Sequence, residues 1–237
     1  MRTIFPLRRF FAVLVAVLSL GACSAVSIPQ DGDILVIGDS IMAWNQSSRQ
    51  AIPDEIANAL GREVHSRAVA GAKFDNSSAL MSAVGFDIQT QYHGGRWNWI
   101  VLNGGANDLG FDDCNCGDCS VVVQRLISDD GRRGEIPAFL DRLQPSAAHI
   151  LWMGYYASPG TTFKACGDDL LELERRVMLY LDRVPDGYFV DARRFIDPKD
   201  SSLFASDNTH PSPESSAILG TALAEVIASV EARSKNR

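Results

Sequence analysis

The sequence is short of several things, and each shortage removes a class of protein. Basic residues are outnumbered: 22 Lys and Arg stand against 29 Asp and Glu, a formal net charge of −7. The first 22 residues carry Arg2, Arg8 and Arg9 and no acid, so the remainder is more acidic still. This argues against a nucleic-acid partner, which needs a basic face for phosphate. No repeat at roughly 20–50 residues and no low-complexity tract suggests a solenoid or a second architecture. Histidine is scarce, with four in 237 residues, which leaves few candidates for a catalytic base.

What is present reads as one globular domain. Hydrophobic residues make up 46% and charged residues 22%, enough for a sizeable core. The run Ile34-Leu35-Val36-Ile37 is continuously apolar and stops at Gly38-Asp39-Ser40, the pattern of a strand buried on both faces. Further strands are expected at 63–69, 99–102, 150–153 and 188–190. Helices are expected at 47–60, 79–89 and 168–181, with two more between 121 and 143 separated at Gly131-Arg132-Arg133-Gly134. The last helix has Ser212 as N-cap, Pro213 at its first position, and Ile218, Leu219, Leu223, Val226 and Ile227 on one face. Such alternation implies an α/β fold, a three-layer α/β/α sandwich around a mostly parallel five-stranded sheet.

The N-terminus is set apart as a targeting segment. Three arginines precede an apolar stretch at 10–20, too short for a bilayer core that needs about 20 residues. Leu20-Gly21-Ala22-Cys23 resembles a bacterial lipobox, which implies cleavage before Cys23 and a lipid on its thiol; the alternative is an ordinary secretory signal. Ser24 after the cysteine implies the periplasmic face of the outer membrane, with a membrane partner through the lipid alone. The expected division is a signal at 1–22, a lipidated tether at 23–32, the domain at 33–232 and a tail at 233–237.

Four cysteines remain. Cys114, Cys116, Cys119 and Cys166 form an even set in a chain read as exported, which favours two disulfides with three pairings open. Such bridges would brace the loop after residue 108 against the start of a later helix and make that loop an active-site wall. Cys-x-Cys-x-x-Cys with a fourth thiolate is also compatible with a structural zinc.

The chemistry-bearing residues come in a fixed order. Gly38-Asp39-Ser40 ends the first strand, Gly71 follows the second, Gly105-Ala106-Asn107-Asp108 follows the third, and Asp207-Asn208-Thr209-His210 precedes the last helix. Together these blocks resemble the SGNH (GDSL) hydrolase family over roughly 34–227. The resemblance implies a serine hydrolase of ester bonds with Ser40 as nucleophile and no cofactor or metal. Ser40 needs a base, which His210 supplies, and Asp207 three residues earlier fixes the imidazole tautomer. The oxyanion donors are expected to be the N–H of Ser40, the N–H of Gly71 and the amide of Asn107. Asp39 is expected to hold the turn, with Ser40 an N-cap on the simplest local reading. Asp108 is expected to orient its loop, and His65, His93 and His149 to be structural. The Gly-x-Ser-x-Gly elbow of the α/β-hydrolases is absent. Ile41-Met42-Ala43-Trp44 departs from the family's usual continuation, so Trp44 either narrows the pocket or belongs to the core. The expected substrate is a small-molecule or polysaccharide ester, with O-acetyl groups on an envelope or exported polysaccharide favoured, and the protein is expected to be a monomer. Lipase or thioesterase action, or binding of an envelope glycan without catalysis, are the alternatives.

Overall fold

A computed structural model describes residues 31–111 and 114–235. The targeting segment and Cys23 lie outside the described residues. Five parallel strands form one sheet: β1 (Gly32–Ile37), β2 (Val64–Ser66), β3 (Trp97–Leu102), β4 (Ala147–Met153) and β5 (Gly187–Val190), in the spatial order β2-β1-β3-β4-β5. In register, Val36 pairs with Ser66 and Val101, Val101 with Leu151, and Leu151 with Tyr188. The sheet is wholly parallel.

The helices are α1 (Ser40–Ala43), α2 (Ile52–Leu60), α3 (Ala79–Ala83), α4 (Ala106–Gly110), α5 (Ser120–Leu126), α6 (Glu135–Leu143), α7 (Gly167–Leu181) and α8 (Pro213–Lys235). Successive strand residues face opposite sides of the sheet, and here both sides are covered. Leu35, Ile37, Ile100, Leu102, Ile150 and Trp152 pack under α5, α6 and α7. Ile34, Val36, Trp99, Val101, Leu151 and Met153 pack against α2 and α8. That double burial is why the strands read as unbroken apolar runs. Truncating one such side chain, as in Leu35→Ala, costs roughly 2–5 kcal/mol.

Three elements are shorter than the sequence pattern suggests, each for a local reason. The helix expected at 47–60 starts at Ile52, because Asn45 and Arg49 adopt left-handed conformations around a single 3₁₀ turn and Pro53 favours a helix start. The helix expected at 79–89 ends at Ala83. Gly85 turns left-handed there, and the Asp87 carboxylate caps a separate 3₁₀ turn. β2 keeps three residues because it is an edge strand, although Arg67 and Val69 still donate to the Val36 and Gly38 carbonyls. At the far end, α8 runs to Lys235, three residues past the expected boundary. It is long and apolar enough to cross a membrane by composition, yet Leu219, Leu223, Ile227 and Val230 are buried in the core.

Candidate active site

The carboxyl ends of β1 and β3 and the loop before α8 converge at one point, where open α/β sheets place their ligands. At β1, Gly38 takes a positive φ of 148°, and a Cβ there would run into the Asn103 side chain. Only glycine lets these two pass. Buried Gln91 clamps the same residue, its Oε1 accepting from the Gly38 N–H at 2.7 Å and its Nε2 donating to the Gly38 carbonyl at 2.9 Å.

Asp39, rather than Ser40, caps α1: its Oδ1 accepts from the Ile41 N–H at 2.9 Å, and Ser40 is the first helical residue. Both carboxylate oxygens also accept from buried side chains. Asn103 Nδ2 donates to Oδ1 at 2.9 Å, and the Tyr155 hydroxyl donates to Oδ2 at 2.5 Å. Burial raises the Asp39 pKa, and these hydrogen bonds offset only part of the rise. Tyr155 oxygen also accepts from the Ala106 N–H at 3.3 Å, which ties the β1 turn to the β3 turn.

Beside this turn, Ser40 Oγ lies 2.8 Å from His210 Nε2, and His210 Nδ1 lies 2.5 Å from Asp207 Oδ2. Asp207 Oδ1 accepts from the Thr209 and His210 N–H groups at 2.9 and 3.0 Å. Partial burial pushes the Asp207 pKa up, but these bonds more than compensate and the carboxyl sits below its usual value. The loop is held from three directions. Asn45 Nδ2 donates to the Pro211 carbonyl, Tyr156 hydroxyl to the Thr209 carbonyl, and Ala205 N–H to the His210 carbonyl, at 3.0, 3.1 and 2.8 Å. The Ser212 hydroxyl accepts from the Ser215 N–H at 3.3 Å at the start of α8. Trp44 lies flat on His210, ring centroids 3.7 Å apart and planes 5° apart. It is half-buried and belongs to the site rather than to the core.

Gly71, expected to supply an oxyanion donor, turns with φ 83° and does not border the Ser40 cavity, whereas Asn107 does. Asn107 Nδ2 donates to the Ala72 carbonyl at 2.8 Å, which leaves its second amide hydrogen for another acceptor. The buried Asp108 carboxylate accepts from the Phe74 and Asp75 N–H groups at 2.7 and 3.2 Å. Burial lifts its pKa to about 7 against those two bonds. α4 thus clamps the Gly71 segment. Neither the Ser40 N–H nor the Gly71 N–H has an acceptor among the described residues. His65 and His149 pack on Trp97 and Trp99 in the sheet layers, away from this cluster.

The cysteines pair as Cys114–Cys119 and Cys116–Cys166. No thiolate among these four is left for a zinc. The loop they brace contributes no lining to the Ser40 cavity among the described residues, contrary to expectation; the wall comes from the 155–170 segment instead. Sequence reasoning missed Gln91, Asn103 and Tyr155. All three are polar side chains buried by tertiary contacts, and no local spacing marks them.

A serine at the end of β1, bonded to a histidine before the last helix of a three-layer sandwich, defines an ester-hydrolysing enzyme of the SGNH type. The chain belongs to the GDSL-like lipase/acylhydrolase family, whose sequence profile matches residues 36–218. No curated protein matches the chain. Similar solved structures include a candidate SGNH hydrolase from Slackia heliotrinireducens, with 18% identity, 83% of this chain and 99% of that one covered, and a TM-score of 0.57. Another is a carbohydrate esterase family 2 enzyme with a carbohydrate-binding domain from Corynascus (Myceliophthora fergusii), with 20% identity, 86% and 68% covered, and a TM-score of 0.59. A third is a carbohydrate acetylesterase family member from Sinorhizobium meliloti, with 18% identity, 82% and 96% covered, and a TM-score of 0.54. At these identities the likeness concerns the fold alone.

Proposed function

We propose that this protein is a serine esterase that removes O-acetyl groups from a polysaccharide of the cell envelope. The observation that carries the reading is the unbroken chain Ser40 Oγ to His210 Nε2 at 2.8 Å and His210 Nδ1 to Asp207 Oδ2 at 2.5 Å. Ser40 Oγ attacks the ester carbonyl while its proton passes to His210 Nε2, and Asp207 stabilises the imidazolium that forms. The oxyanion accepts hydrogen bonds from the Ser40 and Gly71 N–H groups and the second Asn107 amide hydrogen. The C–O bond breaks as His210 returns the proton to the departing alcohol oxygen. Water then attacks the acyl-enzyme and gives its proton to His210. Collapse releases the acid, and Ser40 regains its hydrogen.

The acyl cavity favours a short group. It measures about 40 Å³, where a single water needs roughly 10–15 Å³. Carbohydrate esterases among the structural neighbours favour a glycan as the alcohol. The lipobox-like Cys23 supports attachment to the outer membrane's periplasmic face. Cys23→Ser should remove fatty-acid labelling and release the protein from the membrane fraction, and unchanged fractionation would remove the anchor from the account.

The test is acetate release from an O-acetylated polysaccharide and from p-nitrophenyl acetate by soluble protein beginning at Ser24, beside Ser40→Ala. Turnover of both that is lost in the variant supports the reading. Turnover of palmitoyl esters in preference to acetyl would make it a lipase.

A further inference from the structure

Given that esterase reading, on which this inference rests, we infer that Phe163 is the residue that sets acyl-chain length, and that the Cys116–Cys166 disulfide holds it in place. Two cavities share a wall in the 155–170 segment. The one that Ser40 and His210 border measures about 40 Å³; its neighbour, reaching toward the start of α7, measures about 260 Å³. Phe163, Leu170, the small Ser158 and the two tyrosines Tyr155 and Tyr156 line both. The tyrosines are committed elsewhere, through their hydroxyls to Asp39 and to the Thr209 carbonyl. Phe163 and Leu170 carry no polar atom and act on the partition by volume alone.

Phe163 is built to stay. Its ring rests on Gly110, the last residue of the helix that carries Asn107, so closely that a Cβ at Gly110 would run into it. Phe111 meets it edge-on at 5.7 Å. Its carbonyl accepts from the Cys166 N–H at 3.0 Å in a 3₁₀ turn, and Cys166 is bonded to Cys116. Cys116 in turn donates its N–H to the Leu109 carbonyl of α4 at 2.8 Å. The disulfide therefore closes a frame with α4 on one side and the Phe163 segment on the other. The ring is the wedge between them.

Beyond the partition the larger cavity is bordered by Lys164, Asp168, Glu174 and Arg193 as well as Leu171. An acyl chain let through would gain room for a few methylenes before meeting charge. Opening the partition should admit butyryl and hexanoyl groups and leave palmitoyl excluded.

The experiment measures kcat/KM on p-nitrophenyl acetate, butyrate, hexanoate and palmitate for the wild type, Phe163→Ala and Leu170→Ala. The wild type should favour acetate, and Phe163→Ala should raise the butyrate-to-acetate ratio by about tenfold or more, since one methylene in an apolar pocket discriminates by roughly 10–200-fold. Leu170→Ala should move the ratio the same way by less. If Phe163→Ala does not fold, Phe163→Val is read by the same ratio. A Cys116→Ser, Cys166→Ser double variant should also raise the ratio while keeping acetate turnover. An unchanged ratio in the folded Phe163 variant, or a wild type that already favours butyrate, overturns the gate while leaving the esterase intact. An unchanged ratio in the cysteine variant overturns the bracing role. A wild type inert toward every ester, with Ser40 unreactive to a fluorophosphonate, overturns the esterase reading and the gate with it.

Discussion

Asn107→Ala separates chemistry from architecture because the side chain has two jobs in one amide. One hydrogen goes to the Ala72 carbonyl at 2.8 Å in a buried setting. Losing that donor leaves a buried carbonyl without a partner, which costs roughly 1–3 kcal/mol of stability. The other hydrogen is assigned to the oxyanion, and removing one such donor lowers kcat by about 10²–10³, or roughly 2.7–4 kcal/mol of transition-state stabilisation. The two losses are read by different assays. Urea unfolding reports the first, and kcat on p-nitrophenyl acetate, measured where the variant is fully folded, reports the second. KM should change little, because the donor acts on charge that develops only in the transition state. A folded variant with the stability loss but near-normal kcat would return Asn107 to a purely structural role and leave the oxyanion to the two backbone donors.

Asp207→Ala should lower kcat on the order of 10⁴, as loss of the tautomer-fixing carboxylate does. Adding His210→Ala should cost far less than the product of the single effects, since a triad acts as a unit; multiplicative losses would contradict the shared mechanism. Asp108 provides a pH test. Its folded pKa of about 7 exceeds the ordinary 3.8, so the folded state holds a proton that the unfolded state has lost between those values. Its contribution to stability is therefore full below about pH 4 and falls as pH rises toward 7. The stability of the wild type relative to Asp108→Asn, from denaturant titrations, should be greater at pH 5 than at pH 7.5. A pH-independent difference would mean that Asp108 is ionised throughout.

The central strands were legible because β1, β3 and β4 are buried on both faces toward their carboxyl ends, so Ile34 to Ile37 and Trp99 to Leu102 read as continuous apolar runs. Helix ends were less so. Pro53, Gly85 and the left-handed Asn45 set them through backbone conformation, which hydrophobic spacing does not register. At the site, Ser40, Asp207 and His210 stood out through motif order, and the short Asp207-to-His210 spacing allows their contact within one loop. The support beneath them did not stand out. Tyr155 reaches Asp39 across 116 residues and Gln91 reaches Gly38 across 53, pairings that only the assembled sheet creates. Trp44 was visible as an anomaly after Ser40, but its stacking on His210 joins segments far apart in the chain, as does the adjacent Asn45 bond to the Pro211 carbonyl, 166 residues away.

The most direct test of the central claim is whether Ser40 is an activated nucleophile. The protein is treated with a fluorophosphonate, and the modified residue is located by peptide mass mapping, with His210→Ala as control. The account predicts stoichiometric labelling of Ser40 in the wild type, labelling slowed by orders of magnitude without His210, and loss of ester hydrolysis in step with the label. A Ser40 that stays unmodified while the 2.8 Å contact to His210 is intact would contradict it, and the cleft would then be a binding site rather than a catalytic one.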